Sequence, residues 1–500
     1  MIRLADSDRP DAFGPTELRN DHMANRDHWG SKTGFILAAS GSAVGLGNIW
    51  KFPYITGENG GGAFVLIYLA CILLVGIPIL IGEVIIGKAT QKSAVPAFRE
   101  LSGEPASPWM SFGWIGVLAA FLLLSYYAVI AGWTMHYAWL SVSGSFAGQT
   151  ESQVKDVFSG VVSSPGINLG WQIAFMVLTI GIVAGGIKRG IETASKIMLP
   201  ALFVIMIVLL IKGATTDGFG KAASFIFGFH TDDLTSNGIL EALGHSFFTL
   251  SIGMGTMVAY GSYLGRKSDA VGTGVIIGGL DTLIALVACM VLFPITFAHG
   301  FEPNAGPGLV FMNMPIALMA LPGGSFFASI FFILLFFAAL SSAISLLEVA
   351  TSYFIDEWKW NRVTASVVTG IVITLVGIPS ALSNIDGCFF TTGFAEYTGK
   401  TWFDSVDWLV SNLLLPLGGM GIALFLTWHV SSAAREAGFK EGTSFQKLYW
   451  AWLQLLRWVA PIAVILVFLN AVGAFPKPVD ETPAVEAAES VELQNPSEPE

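Results

Sequence analysis

Eleven apolar runs, each long enough to cross a bilayer at roughly 20 residues per helix, lie near 34–56, 62–87, 110–145, 168–187, 191–213, 239–264, 271–300, 324–356, 362–383, 406–431 and 446–474. Polar segments separate them, so the pattern predicts an all-α polytopic membrane protein with 11 transmembrane helices. The first run is not an ordinary membrane helix. In Ser40–Pro53, SGSAVGLGNIWKFP, the glycines Gly41, Gly45 and Gly47 lower the cost of leaving helical geometry, and the polar Asn48 and Lys51 follow. A turn unwound in hydrocarbon frees backbone groups, which then need water, a cation or the charged ends of a substrate as partners. The sixth run repeats the feature in Ser246–Tyr263, SFFTLSIGMGTMVAYGSY, with Gly253 and Gly255 in mid-span. Interrupted spans at matching places in two halves are the sequence sign of an inverted repeat, here runs 1–5 and 6–10, with a binding site between the breaks. Close helix packing would also use small residues, but it needs neither Asn48 nor Lys51.

Charge orients this arrangement. Arg26, Lys32, Lys88, Lys92, Arg99, Lys188, Arg189, Arg266, Lys267, Lys359, Arg362, Arg435 and Lys440 fall in alternate connections, whereas the other connections hold chiefly Lys155, Lys221, Lys400 and Lys477. By the positive-inside rule the amino end is cytoplasmic and the carboxyl end lies on the opposite side. The first 33 residues are polar and the first apolar run carries Asn48 and Lys51, a pattern unlike a cleaved signal peptide. The net charge of −11 misleads about partners, because the tail after Phe475 holds seven acids and one lysine. That tail, rich in Pro, Glu and Ala, reads as disordered, and nothing points to nucleic acid. Cys71, Cys289 and Cys388 have no metal-ligand spacing and suggest no disulfide framework, and His136, His245 and His299 form no catalytic cluster with them.

The stretch Asn25–Phe64, NRDHWGSKTGFILAASGSAVGLGNIWKFPYITGENGGGAF, resembles the opening of the neurotransmitter:sodium symporter family. The resemblance continues through Val75–Glu83, Ser125–Trp133, the sixth-run motif, Ala338–Glu357 and Phe403–Met420, covering about residues 25–475. It implies a LeuT-like 5+5 inverted repeat with helices 1 and 6 broken. The implied division is a cytoplasmic amino-terminal segment over 1–33, repeats over 34–213 and 214–431, a loop and eleventh helix over 432–475, and the acidic tail over 476–500. A bacterial inner membrane is the expected location, with the tail in the periplasm.

Carried onto this chain, the resemblance implies two sodium sites and no other cofactor. The first would use the Ala43 carbonyl, the Asn48 side chain, the carbonyl and hydroxyl of Thr249, and the Asp281 carboxylate. The second would use carbonyls of Gly41, Val44 and Ala338 with hydroxyls of Ser341 and Ser342. All-oxygen ligation suits a hard cation. Relatives often have Asn at the Asp281 position and a chloride-binding Ser one turn later, where this chain has Ala285; a fixed carboxylate beside sodium would replace chloride. A substrate carboxylate would meet the amides of Leu46 and Gly47 and the Tyr127 hydroxyl, and its ammonium the carbonyls of Ala43, Phe248 and Thr249 with the Ser251 hydroxyl. Leu123, Phe248, Met254, Ser342 and Leu346 would line a side-chain pocket suited to an apolar amino acid. Amine carriers of the family place Asp where Gly45 stands, so the glycine implies a substrate that brings its own carboxylate. Lys51 with Asp407 would form the outer gate, below which Tyr127 and Phe248 make a lid. Arg26 with Asp356, covered by Trp29 and Tyr263, would form the inner gate, and Gly190 with Pro200 match a pattern for unwinding the fifth helix. The implied activity is sodium-coupled uptake of an apolar L-amino acid by alternating access, not an enzyme; a channel or substrate-gated receptor is the alternative.

Overall fold

The computed structural model describes residues 27–228, 236–301, 308–471 and 473–474; Arg26 and the tail over 476–500 lie outside the described residues. Among the described residues there is no strand. Nine helices there are long and apolar enough to cross a membrane unaided: α3 (Gly62–Thr90), α4 (Met110–Val142), α5 (Pro165–Ala184), α6 (Ile187–Ala214), α9 (Ala270–Ala298), α10 (Gly324–Trp358), α11 (Arg362–Leu382), α12 (Trp402–His429) and α13 (Gln446–Ala471). Two further crossings are interrupted. The first is α1 (Lys32–Ala43) followed by α2 (Phe52–Glu58), and the second is α7 (Ser236–Thr249) followed by α8 (Thr256–Gly261). Short helices over Ala94–Ser102, Glu151–Ser163 and Phe219–Phe227 occupy connections that hydrophobic runs alone leave blank.

Burial separates scaffold from shell. In α4 and α10, 78% of the apolar window is inside the protein, against 33% in α5 and α6, whose remaining faces are apolar and suit lipid. The helix α10 packs along α4, and α1 packs against α6, α9 and α10. The broken α1–α2 crossing is therefore enclosed on several sides. Irregular backbone at membrane depth is tolerated only in such enclosed positions.

Each break has a local cause. Val44 leaves the helical region at ψ 98°, and hydrogen bonding resumes as a π turn at Gly47–Lys51. In the other crossing Ser251, Gly253 and Gly255 all have positive φ, of 52°, 81° and 72°. Serine in that region costs about 1 kcal/mol or more, so the surrounding contacts must hold it. Five π turns, ending at Lys51, Gly76, Asn313, Leu414 and Val459, each have proline two residues on, at Pro53, Pro78, Pro315, Pro416 and Pro461. A proline ring clashes with the carbonyl four residues back, and widening the preceding turn relieves the clash.

The second break is seated on α12 without side chains between the backbones. A Cβ on Gly418 would overlap the Gly253 carbonyl oxygen and come within 3.0 Å of the Gly253 Cα. Gly418→Ala should therefore cost about 1–3 kcal/mol through overpacking, read as a lower thermal unfolding midpoint in detergent. An unchanged midpoint would show that α12 can move away freely.

Candidate functional site

The two breaks face one another and enclose a cavity of about 20 Å³ lined by Ser42, Ala43, Gly45, Leu46, Gly47, Leu123, Tyr127, Phe248, Thr249, Ser251, Met254, Ser342 and Leu346. All eleven residues that sequence comparison assigns to substrate border it, with Ser42 and Gly45 in addition. The space suits about one water molecule, so an amino acid enters only if lining side chains such as Phe248 and Met254 move. The Tyr127 hydroxyl is buried at this cavity and makes no hydrogen bond, although the Leu46 backbone and Ser342 hydroxyl lie near it. A Cβ on Gly45 would collide with the Ser342 hydroxyl and sit 3.4 Å from the Tyr127 hydroxyl. Glycine thus keeps this wall open.

Beside the cavity Asn48, Thr249 and Asp281 meet. The Asn48 Nδ2 donates to Thr249 Oγ1 at 3.1 Å and to Asp281 Oδ1 at 2.7 Å, while Thr249 Oγ1 also donates to Asp281 Oδ1 at 3.0 Å. Tyr68 from α3 donates to Asp281 Oδ2 at 3.3 Å. All four side chains are buried, and among the described residues no cluster of three His, Cys, Asp or Glu competes for a metal. The carboxamide differs from the expected ligand orientation, because Asn48 Oδ1 accepts from the Gly45 amide at 2.9 Å. A half-turn of that carboxamide would bring its oxygen to the Thr249 and Asp281 side, where it can face a cation. The oxygen-rich donor set fits Na⁺.

The second expected set is nearby. Ser341 Oγ donates to the Ala338 carbonyl at 3.0 Å and the Val44 carbonyl at 3.4 Å, and its Cβ would be 3.3 Å from one on Gly41. Ser342 turns instead to the Ser42 carbonyl, at 3.2 Å, which also accepts from Ser251 at 2.9 Å. Ser42 is a residue that sequence reading misses; its hydroxyl adds a bond to Ser345 at 2.7 Å. Glu83 is another. Its fully buried carboxylate accepts from the Gly253 and Met257 amides at 2.7 and 3.1 Å, satisfying donors that the second break releases. A lone acid in an apolar run was the available signal.

Above the cavity Lys51 Nζ lies 4.7 Å from the Phe248 ring centre and only 4.0 Å from Asp407 Oδ2. Asp407 is held more closely by Tyr126 at 2.8 Å and Ser411 at 3.1 Å. Below it, Trp29 donates to the Tyr260 carbonyl at 3.0 Å and packs edge-on near Tyr263. Arg26 lies outside the described residues, and Asp356 accepts from the Ser93 amide at 2.6 Å. The ion pair that the structure adds at this mouth is Glu348 with Arg362, at 2.7 Å, extended by Tyr263 to Glu348 at 2.6 Å and by Asp27 to Arg362 at 2.9 Å. Gly190 closes against the Ile182 carbonyl and Pro200 lies inside α6, which is helical through both residues.

Two interrupted crossings around a central cavity define a secondary transporter of the broken-helix class. The profile of the Sodium:neurotransmitter symporter family matches residues 26–154 and 150–482, and the chain belongs to that family. It is similar to an uncharacterized sodium-dependent transporter YhdH of Bacillus subtilis, 41% identical over 89% of this chain and 97% of that one. An uncharacterized sodium-dependent transporter of Haemophilus influenzae is 32% identical over 89% and 98%. Among solved structures, MhsT in complex with L-phenylalanine matches with TM-score 0.83 and 44% identity, over 89% of this chain and 100% of that one. These comparisons establish a sodium-dependent membrane transporter with the LeuT-like fold, not an enzyme.

Glu348 and Arg362 test the inner mouth, since Glu348 is fully buried and Arg362 14% exposed. Glu348→Gln leaves the guanidinium short of its main partner and should cost about 3–5 kcal/mol, measured by thermal unfolding. A change below about 1 kcal/mol would mean that Asp27 alone compensates.

Proposed function

We propose that the protein takes up an apolar L-amino acid together with two Na⁺ ions, by alternating access and without chloride. It does so in a bacterial inner membrane, with the amino end cytoplasmic and the tail periplasmic. The observation that carries this reading is a cavity lined by Tyr127, Gly45 and Thr249, with Asn48 and Asp281 joined to it through Thr249. An orphaned hydroxyl and an open glycine wall suit a carboxylate, and a buried acid beside the Thr249 hydroxyl, with the Asn48 carboxamide oxygen a half-turn away, suits Na⁺. Leu123, Met254 and Leu346 leave the far side apolar, which favours an aliphatic or aromatic side chain; MhsT holding L-phenylalanine is consistent with this.

In this mechanism sodium and substrate bind as one unit. The first ion would bridge Ala43, Asn48, Thr249 and Asp281, drawing oxygens of both breaks and of α9 to one point, and the substrate carboxylate would add to it. The second ion would join Gly41 and Val44 to Ala338, Ser341 and Ser342, tying the first break to α10. Binding then stabilises a closed state only when all partners are present, which links substrate movement to the inward Na⁺ gradient. Asp281 supplies a fixed negative charge where an unbalanced positive one would be costly.

The test is amino-acid binding across the twenty standard substrates in Na⁺ or K⁺, with chloride or gluconate. Apolar amino acids should bind in Na⁺ only and equally in either anion; a requirement for chloride would overturn the charge argument. Asp281→Asn should weaken Na⁺-dependent binding about tenfold or more, or about 1.4 kcal/mol, and adding Ala285→Ser should restore part of it only in chloride.

Tyr127→Phe separates binding from folding. Removing a buried hydroxyl that lacks a partner should leave the unfolding midpoint unchanged or raised. Amino-acid affinity should fall about tenfold, because a hydrogen bond to a charged carboxylate contributes about 1.5–3 kcal/mol. Equal affinity in both proteins would exclude Tyr127 from the carboxylate subsite.

A further inference from the structure

Two guanidinium groups without a carboxylate partner meet at the end of α12. Arg435, on the helix Ser432–Lys440, is 6% exposed and donates through Nη1 to the carbonyls of Leu426, Thr427 and Val430 at 2.9, 3.3 and 3.1 Å. Its Nε donates to the Tyr449 hydroxyl at 3.0 Å. Arg457, on α13, reaches the same Thr427 carbonyl through Nη2 at 3.1 Å. Its Nε is buried and unpartnered. Among the described residues no Asp or Glu lies within ion-pair distance of either guanidinium, and neighbouring Glu436 is taken by Lys440.

Capping accounts for part of this arrangement. Carbonyls at a helix end carry about half a negative charge in total, against two full positive charges. More than one unit is left uncompensated where two apolar spans end, and buried ionisable side chains normally pair. The direction in which this charge opens identifies the missing partner. Arg457 lies over the Trp428 ring, 5.2 Å from its centre, and Trp428 packs edge-on against Trp458 at 5.8 Å. Trp428 and Trp458 are 59% and 53% exposed, and Ile462 and Ile465 further along α13 are also exposed and apolar. Tryptophan at such a position marks the headgroup level of a bilayer.

We propose that Arg457 and Arg435 form a site for the phosphodiester headgroup of an anionic phospholipid. Arg457, half-buried, makes the contact through guanidinium donors other than its buried Nε, Arg435 adds field from one carbonyl away, and the acyl chains lie on Trp428 and Trp458. A lipid held here would brace the junction of α12 and α13 against the connection that carries Arg435.

Native mass spectrometry of the full-length transporter, titrated with dioleoyl phosphatidylglycerol or dioleoyl phosphatidylcholine, tests this directly. One phosphatidylglycerol should be retained with about fivefold or greater preference. Arg457→Gln should reduce that preference to none, Arg457→Lys should keep part of it, and Lys155→Gln on the other side should keep it all. Equal retention of both lipids by the wild type, or an undiminished preference in Arg457→Gln, would overturn the proposal. Displacement of the lipid by millimolar inorganic phosphate would also overturn it, assigning the site to a soluble anion. The unfolding midpoint gives a second readout. Phosphatidylglycerol should raise it in the wild type and not in Arg457→Gln, whereas an equal rise in both would reduce Arg457 to a cap.

Discussion

Hydrocarbon gives no hydrogen bonds, so a helix that stops inside a membrane must find partners for every backbone group it releases. Both breaks meet this demand with buried polar groups from neighbouring helices. Glu83 takes amides after the second break, and Ser251, Ser341 and Ser342 donate to carbonyls of the first. The enclosed position of the first break, the cavity and the oxygen clusters all follow from this requirement. Replacing Glu83 with an alkyl side chain would leave two released amides without a partner in lipid-like surroundings at a cost of several kcal/mol.

The same groups distribute the site over four crossings. Asn48 belongs to the first crossing, Thr249 to the sixth, Asp281 to α9 and Ser341 to α10. Buried Tyr68 ties Asp281 to α3, which also carries Glu83. Hence α3 touches both the acid cluster and the second break, with the Ile72–Gly76 π turn between the two contacts. The two mouths are held unequally. A 4.0 Å contact between Lys51 and Asp407, both partly exposed, contributes little beside the buried Glu348–Arg362 pair.

Spans and breaks were legible because they depend on composition. Apolar length marks a crossing, and glycine beside Asn48 marks a failure of helix. The cavity lining was legible through resemblance, since residues such as Leu123 and Leu346 look like ordinary core when taken singly. Other features depend on partners distant in sequence. Nothing near Glu348 announces Arg362 across the end of α10, and nothing near Ser42 announces Ser251 or Ser342. The Asn48 carboxamide turns toward Gly45 on one side and Asp281 on the other, a choice that its own neighbours in the sequence do not dictate. Amphipathic connectors such as Glu151–Ser163 were hidden for another reason: they are too short and too polar to register as crossings.

The proline-bounded π turns carry a consequence for how such a chain can change over generations. A π turn holds one residue more than the α turn it replaces, and one residue corresponds to about 100° of rotation around a helix. Deleting a single residue from Ile72–Gly76 or Val410–Leu414 would let an ordinary turn form and leave both halves of that crossing in phase, whereas a deletion in the regular helix beside it would rotate one half by more than a quarter circle relative to the other. A deletion between Ile77 and Glu83 would swing Glu83 away from Gly253, and one between Leu415 and Gly418 would turn Gly418 off the point of backbone contact. The π turns therefore act as slack: at these five places the chain can lose one residue and keep its contacts in phase, whereas length in the regular helix around them is fixed.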